Sequence, residues 1–168
     1  MNDKNRPRIK IESKTFDYII EAIGLAFVVV LLIMPAYFYN QLPDQIPYHY
    51  NFHGQPNAYS GKDFIWLLPL VGLVLYVLLS FVSRYPHTFN YPVQITRENV
   101  YRVYRIGVRS MRIIKVAIII IFAALNFRTI QIGLKMNLDL GVFLLPLGLF
   151  IIIVIVLVLF YQMVTKTR

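Results

Sequence analysis

Long apolar runs and organised polar inserts alternate along the sequence. The apolar runs cover about Tyr18 to Tyr39, Phe64 to Val82, Ile113 to Leu134 and Leu140 to Met163. Each is close to or above the roughly 20 residues that a helix needs to cross a bilayer. Hydrocarbon offers no partner to a backbone N–H or C=O, so such runs must close their hydrogen bonds internally as helices. The pattern therefore predicts an all-α integral membrane protein with four transmembrane helices. The first run is too long for a signal peptide, contains Glu21 and is not followed by a small-residue cleavage site, so it reads as a span. Residues 1–17 and 164–168 are left as polar tails, and residues 40–63 and 83–112 as the two inserts.

The first insert holds "LPDQIPYHYNFHGQP", Leu42 to Pro56. From Ile46 to Phe52 it has period two, with Ile46, Tyr48, Tyr50 and Phe52 on one face and Pro47, His49, Asn51 and His53 on the other. That is the alternation of a half-buried strand. "HGQPN" makes a turn in which Gly54 is free to take positive φ, and Ala58 to Ser60 returns as a second strand. The expectation is a short β-hairpin-like loop, its aromatic face on the membrane interface or on the helix ends and its histidine face outward.

The second insert reads as an extended stretch, Tyr91 to Ile95, followed by a helix. Thr96 is its N-cap, and Glu98 lies in the first turn, where the helix dipole favours acid. Arg102, Arg105, Arg109 and Arg112 recur at helical spacing, with Val100, Val103, Ile106, Gly107 and Met111 between them. This is a basic amphipathic helix running into the third span. It suits an anionic lipid surface, or else an acidic cytoplasmic regulatory protein.

Charge adds direction. The tails and the second insert, with Lys115 at its border, hold fourteen of the seventeen Lys and Arg residues; the other two loops hold Lys62 and Lys135. Basic residues stay on the cytoplasmic side. Both termini and the basic helix should then be cytoplasmic, and the hairpin outside. The net charge of +9 would raise nucleic acid as a partner in a soluble chain. With 58% hydrophobic residues and a mean hydropathy of +0.60 it reads as a topology signal, and no nucleic-acid partner is expected. "LLPL" occurs at Leu67 to Leu70 and Leu144 to Leu147, with Gly72 and Gly148 soon after, as in a duplicated hairpin or a chance match in leucine-rich sequence.

Chemistry is sparse. The chain has no cysteine, which excludes disulfides, thiolate metal sites and cysteine nucleophiles. Glu21, Asn126 and Arg128 are the strong polar interruptions of the spans. Glu21 sits in the first turn of its span, within reach of Arg112 or Lys115. Arg128 can extend its stem outward, towards Asp139 or Asp63. A solute or ion transporter acting as an oligomer would draw on Asn126 and Arg128. His49 and His53 have the i, i+4 spacing of a metal pair, but on a strand they lie about 13 Å apart, too far to share one zinc ion with bonds near 2 Å. A metal-dependent enzyme in the loop is thus the weaker alternative, Ser60 carries no nucleophile motif, and no cofactor is expected.

Leu42, Pro43, Ile46, Pro47, His49, Gly54 and Lys62 resemble the signature loop of a bacterial membrane domain of unknown function, LP-x-x-IP-x-H followed by Gly and Lys. "NYPVQITRENVYRVYR", Asn90 to Arg105, resembles the segment after its second span. The resemblance covers about Tyr18 to Lys115, and the family often carries Asp where this chain has Asn57. The same domain forms the N-terminal part of SdpI-type immunity proteins, which carry further spans. The resemblance implies a non-enzymatic, multi-pass protein of the bacterial cytoplasmic membrane. Its implied partners are the lipid bilayer and a membrane-active peptide toxin that it recognises or resists, with sensing of the envelope state and signalling from the membrane as associated roles.

Overall fold

A computed structural model describes residues 6–51, 54–136 and 141–166. Helix α1 (Thr15–Phe38) ends in a 3-10 turn and leads to strands β1 (Gln45–Tyr50) and β2 (Pro56–Gly61). A second 3-10 turn, Lys62–Trp66, opens α2 (Leu67–Val82), and α3 (Val100–Gly133) and α4 (Gly141–Lys166) follow. Helices α1 and α3, and α2 taken with the 3-10 turn before it (Lys62–Val82), are long and apolar enough to cross a membrane, and α4 contributes a further apolar stretch over Phe150–Thr165. Large apolar side chains such as Ile23, Leu25, Val30, Val74 and Leu157 point away from the protein. A contiguous exposed apolar belt of this kind needs lipid around it. The chain is a helical membrane protein with a small two-stranded sheet.

Helix α3 is the hub, with α1, α2, α4 and β1 all packed on it. It is continuous over 34 residues, about 51 Å at 1.5 Å per residue, against about 30 Å of hydrocarbon. The basic helix and the third span are therefore one rod, with its arginine end projecting from the apolar layer. Helix α3 begins at Val100, later than a Thr96 N-cap would set it, and a reciprocally bonded turn precedes it. Asn99 N–H donates to Thr96 Oγ1 (3.3 Å), Thr96 N–H donates to Asn99 Oδ1 (2.9 Å), and Val100 N–H donates to Thr96 O (3.1 Å). Glu98 gains from the same turn: a hydrogen bond from Thr96 holds its carboxyl below the ordinary carboxylate value.

Three apolar clusters stack along the hub. At the basic end Tyr91 and Ile95 fold back on Val100, Val103, Tyr104 and Met163. Tyr91 stacks on Tyr104 with ring centroids 5.6 Å apart, and burial pushes its phenol well above its usual pKa. In the middle Val28, Leu31, Ile119 and Ala123 interlock. Close approach there depends on Gly24, where an added Cβ would stand 2.7 Å from Val116 Cγ2 and 3.0 Å from Tyr76 Cε2. At the hairpin end Leu42, Ile46, Ile65 and Ile130 form the third cluster. Pro35 is buried inside α1 without ending it, and Pro69 lies in the first turn of α2, where a missing N–H is harmless.

Candidate functional site: the hairpin and the cavity beneath it

The hairpin is seated by its own signature residues. Leu42 and Ile46 are buried against Ile130 of α3. A Cβ added at Gly133 would meet Leu42 Cδ2 at 3.1 Å and Ile46 Cγ2 at 3.6 Å, so α3 offers a flat seat to the loop. Lys62 N–H donates to Asp44 O (3.0 Å) and its ammonium lies over the Tyr39 ring at 5.1 Å, while Tyr39 donates its hydroxyl hydrogen bond to Asp63. At the tip Gly54 takes φ 69°, Gly54 N–H donates to Asn51 O (2.9 Å) and Gln55 N–H donates to Asn51 Oδ1 (2.9 Å).

Strict alternation does not survive in β1. Ile46 and Pro47, expected on opposite faces, are both buried, while Tyr48 is exposed. The strands pair antiparallel with shifts between Pro47 and His49 and between His49 and Tyr50. Pro47 has no N–H for the ladder, and the bulge inserts a residue that moves its neighbours to the other face. Tyr48 instead lays its ring against Phe64, centroids 5.2 Å apart. His49 faces out as expected, and its Nδ1 is 2.6 Å from Asn57 Oδ1 across the hairpin. His53 lies outside the described residues, and among those described no three His, Asp or Glu side chains converge as a metal site.

Between β1, the start of α2 and α3 lies a cavity of about 290 Å³, lined by residues that include Pro47, Tyr50, Leu68, Leu125, Asn126 and Thr129. Its walls are apolar apart from a few groups. Tyr50 and Thr129 share a hydroxyl–hydroxyl hydrogen bond of 2.8 Å. Burial raises the Tyr50 pKa, against the opposing pull of that bond and of the nearby Arg128 charge. Arg128 thus stands near Tyr50. Of the acids expected for it, Asp63 accepts from Tyr39, and Asp139 lies outside the described residues.

Asn126 is only 1% exposed, and its Nδ2 has no hydrogen-bond partner among the described residues. A buried donor left unpaired costs about 1–3 kcal/mol. The arrangement can therefore take a molecule with an apolar body and a hydrogen-bond acceptor.

The opposite end of the bundle is closed by charge. Lys115, 1% exposed, donates to Glu21 Oε2 (2.7 Å) and Ser80 Oγ (2.8 Å), with its ammonium 4.3 Å from the Tyr76 ring centroid. Arg112 lies 3.4 Å from both Glu21 and Asp17 and donates to Ser13 Oγ (2.8 Å); Arg109 Nε donates to Asp17 (3.2 Å). The four arginines therefore do not form one basic face. At about 100° per residue, the stripe from Arg102 to Arg112 drifts by about 80°. The drift leaves Arg102 exposed and turns Arg112 onto α1. Asp17, Tyr76 and Ser80 were not singled out from the sequence. The signal for Asp17 was there: it stands one turn before Glu21 on α1, opposite bases at turn spacing on α3.

Residues 26–73 match the sequence pattern of a family described as a domain of unknown function, DUF1648. The match is shorter than the expected Tyr18 to Lys115. It runs from the middle of α1 through the hairpin into α2, and so contains every signature residue from Leu42 to Lys62. An uncharacterised protein of Archaeoglobus fulgidus is 26% identical over 78 residues, covering 42% of this chain and 43% of the archaeal one. The chain thus spans under half the length of that relative. No solved structure matches.

Proposed function

We propose that the protein is a non-enzymatic membrane receptor of SdpI-like character, which recognises and resists a membrane-active peptide at the outer hairpin. The observation that carries this reading is the cavity under β1 with Asn126 Nδ2 unpaired in its wall. A membrane-active peptide brings what such a site lacks: an apolar side chain or acyl group to fill it, and a carbonyl to accept from Asn126. Sites of this kind, mostly apolar with a few convergent polar groups, are the usual form of ligand pockets. The distribution of Lys and Arg supports a topology with both termini in the cytoplasm, which turns the hairpin outward, towards an agent arriving from outside. The signature loop supports the immunity character and a bacterial cytoplasmic membrane.

Two measurements test the proposal. The cysteine-free sequence allows Gln55→Cys and Arg97→Cys to be labelled separately in intact cells with an impermeant thiol reagent. Labelling of the Gln55 position alone supports the outward hairpin, and labelling of the Arg97 position alone overturns it. Cells producing the protein are then challenged with a panel of membrane-active peptides. Protection should be present with the native chain and weakened about fivefold to tenfold by Asn126→Leu, the equivalent of one lost hydrogen bond of about 1–1.5 kcal/mol. Absence of protection against every peptide at normal protein levels would sink the proposal.

A further inference from the structure

A second site lies along the α3–α4 seam, at the other end of the molecule. Near the basic end is a polar cavity of about 470 Å³ whose lining includes Arg102, Arg105, Arg109, Gln162 and Thr165. One turn further into the apolar layer lies a cavity of about 400 Å³, lined by Phe16, Ile113, Ala117, Ile152 and Ile155 among others. The two follow one stripe of each helix: Arg109 leads to Ile113 on α3, and Leu159, which also lines the polar cavity, leads to Ile155 on α4. Arg109 joins them physically, because its guanidinium lies 4.9 Å from the Phe16 ring centroid. A cationic head and an apolar trough therefore form one groove.

We infer that this groove holds an anionic diacyl phospholipid, its phosphate among Arg102, Arg105 and Arg109 and one acyl chain along the seam towards Ile152. Three features of the groove select that occupant. The charge is complementary to phosphate: three guanidinium groups line the polar cavity, and Asp17 of α1, which pairs with Arg109, is shared with Arg112. Planar guanidinium groups bind phosphate oxygens bidentately, as a single ammonium does not. The length also fits. From Arg109 to Ile121 the α3 axis advances about 18 Å, about one leaflet of a hydrocarbon core about 30 Å thick. The lining changes from arginine to isoleucine at the point where a phospholipid changes from headgroup to chain. Basic pockets at the ends of membrane helices are suited to such headgroups. The inference stands independently of the peptide reading, since it uses none of the hairpin residues.

The test uses the full chain purified in neutral detergent and titrated with 1-palmitoyl-2-oleoyl-phosphatidylglycerol, with retained lipid read by native mass spectrometry and stability by thermal melting. Saturable retention and a raised melting temperature are expected, and phosphatidylcholine with the same chains should do neither. Arg102→Gln and Arg105→Gln should each weaken retention about fivefold, the equivalent of about 1 kcal/mol per surface arginine. Ile152→Trp should block the trough and weaken retention while leaving the arginines in place. Equal retention of the two lipids, or unchanged retention in both arginine variants, overturns the inference. So does displacement of the lipid by glycerophosphoglycerol or inorganic phosphate at equal concentration, which would make this a free-anion site. Tighter binding of an acidic peptide than of the lipid would also overturn it, by assigning the groove to a protein partner.

Discussion

The two ends of the bundle treat buried polarity in opposite ways. At the basic end, Lys115 is as deeply buried as Asn126, yet it meets a carboxylate, a hydroxyl and an aromatic face. At the hairpin end, Asn126 Nδ2 meets no partner among the described residues and borders a cavity. A charge in a low-dielectric interior is tolerated only when paired, so the basic end must be closed and rigid. A neutral amide can be left open at a smaller cost. The comparison separates a structural lock from a polar group left unpaired beside a cavity. Within a membrane span, burial of a polar residue does not by itself distinguish the two; the presence or absence of partners does.

The largest effect expected from breaking the lock is that of Lys115→Met. Glu21 and Ser80 would lose their shared ammonium, and removing one partner of a buried pair costs up to about 3–5 kcal/mol, with Glu21 keeping Arg112 as its remaining partner. Thermal or denaturant unfolding in detergent should show this loss, and Lys115→Met combined with Glu21→Gln should recover much of it. An unchanged melting temperature in the single variant would mean that the pair is not structural. Next is Ile46→Ala, which removes the fully buried anchor of the hairpin and should cost about 3 kcal/mol. Its readout is local: proteolysis or hydrogen exchange in β1 and β2 should rise while α1 and α3 stay protected.

Asn126→Leu sharpens the contrast, because its sign is opposite. Replacing an unpaired buried amide by a hydrocarbon of similar size should leave stability unchanged or raise it by about 1 kcal/mol, while peptide protection falls. A clear loss of stability would mean that Asn126 has a structural partner. The smallest effect belongs to Glu98. Its folded-state pKa lies below the ordinary 4.5, so its contribution is present above that value and is lost as pH falls through the lowered one. Glu98→Gln should therefore lower the melting temperature slightly at neutral pH and flatten the acid side of the profile, the two chains converging as pH falls through the lowered value.

Much of the architecture was legible in the sequence. The ranges of α1, α2 and α4 agree closely with three of the apolar runs, since a hydrocarbon environment leaves such runs little alternative to helix. The hairpin was legible from Pro47, the aromatic alternation and Gly54. The bulge that exposes Tyr48 was not, because it depends on which ladder bonds β2 supplies across from a proline. At the site, His49 was expected to face out, and it does. The meeting of Tyr50 with Thr129 was invisible in the sequence, as it joins residues 79 apart.

The sequence by itself determined the apolar helices and the polar inserts between them, since these follow from local composition. Only the tertiary structure decided which polar residues are paired. The rotation of α3 about its axis, set by Gly24 against Val116 and by Leu31 against Ile119, turns Arg112 and Lys115 onto α1 and leaves Asn126 bordering the cavity under the hairpin. A helix's rotation is a property of the surfaces it packs against, so no reading of α3 alone could assign those residues to the lock or to the cavity.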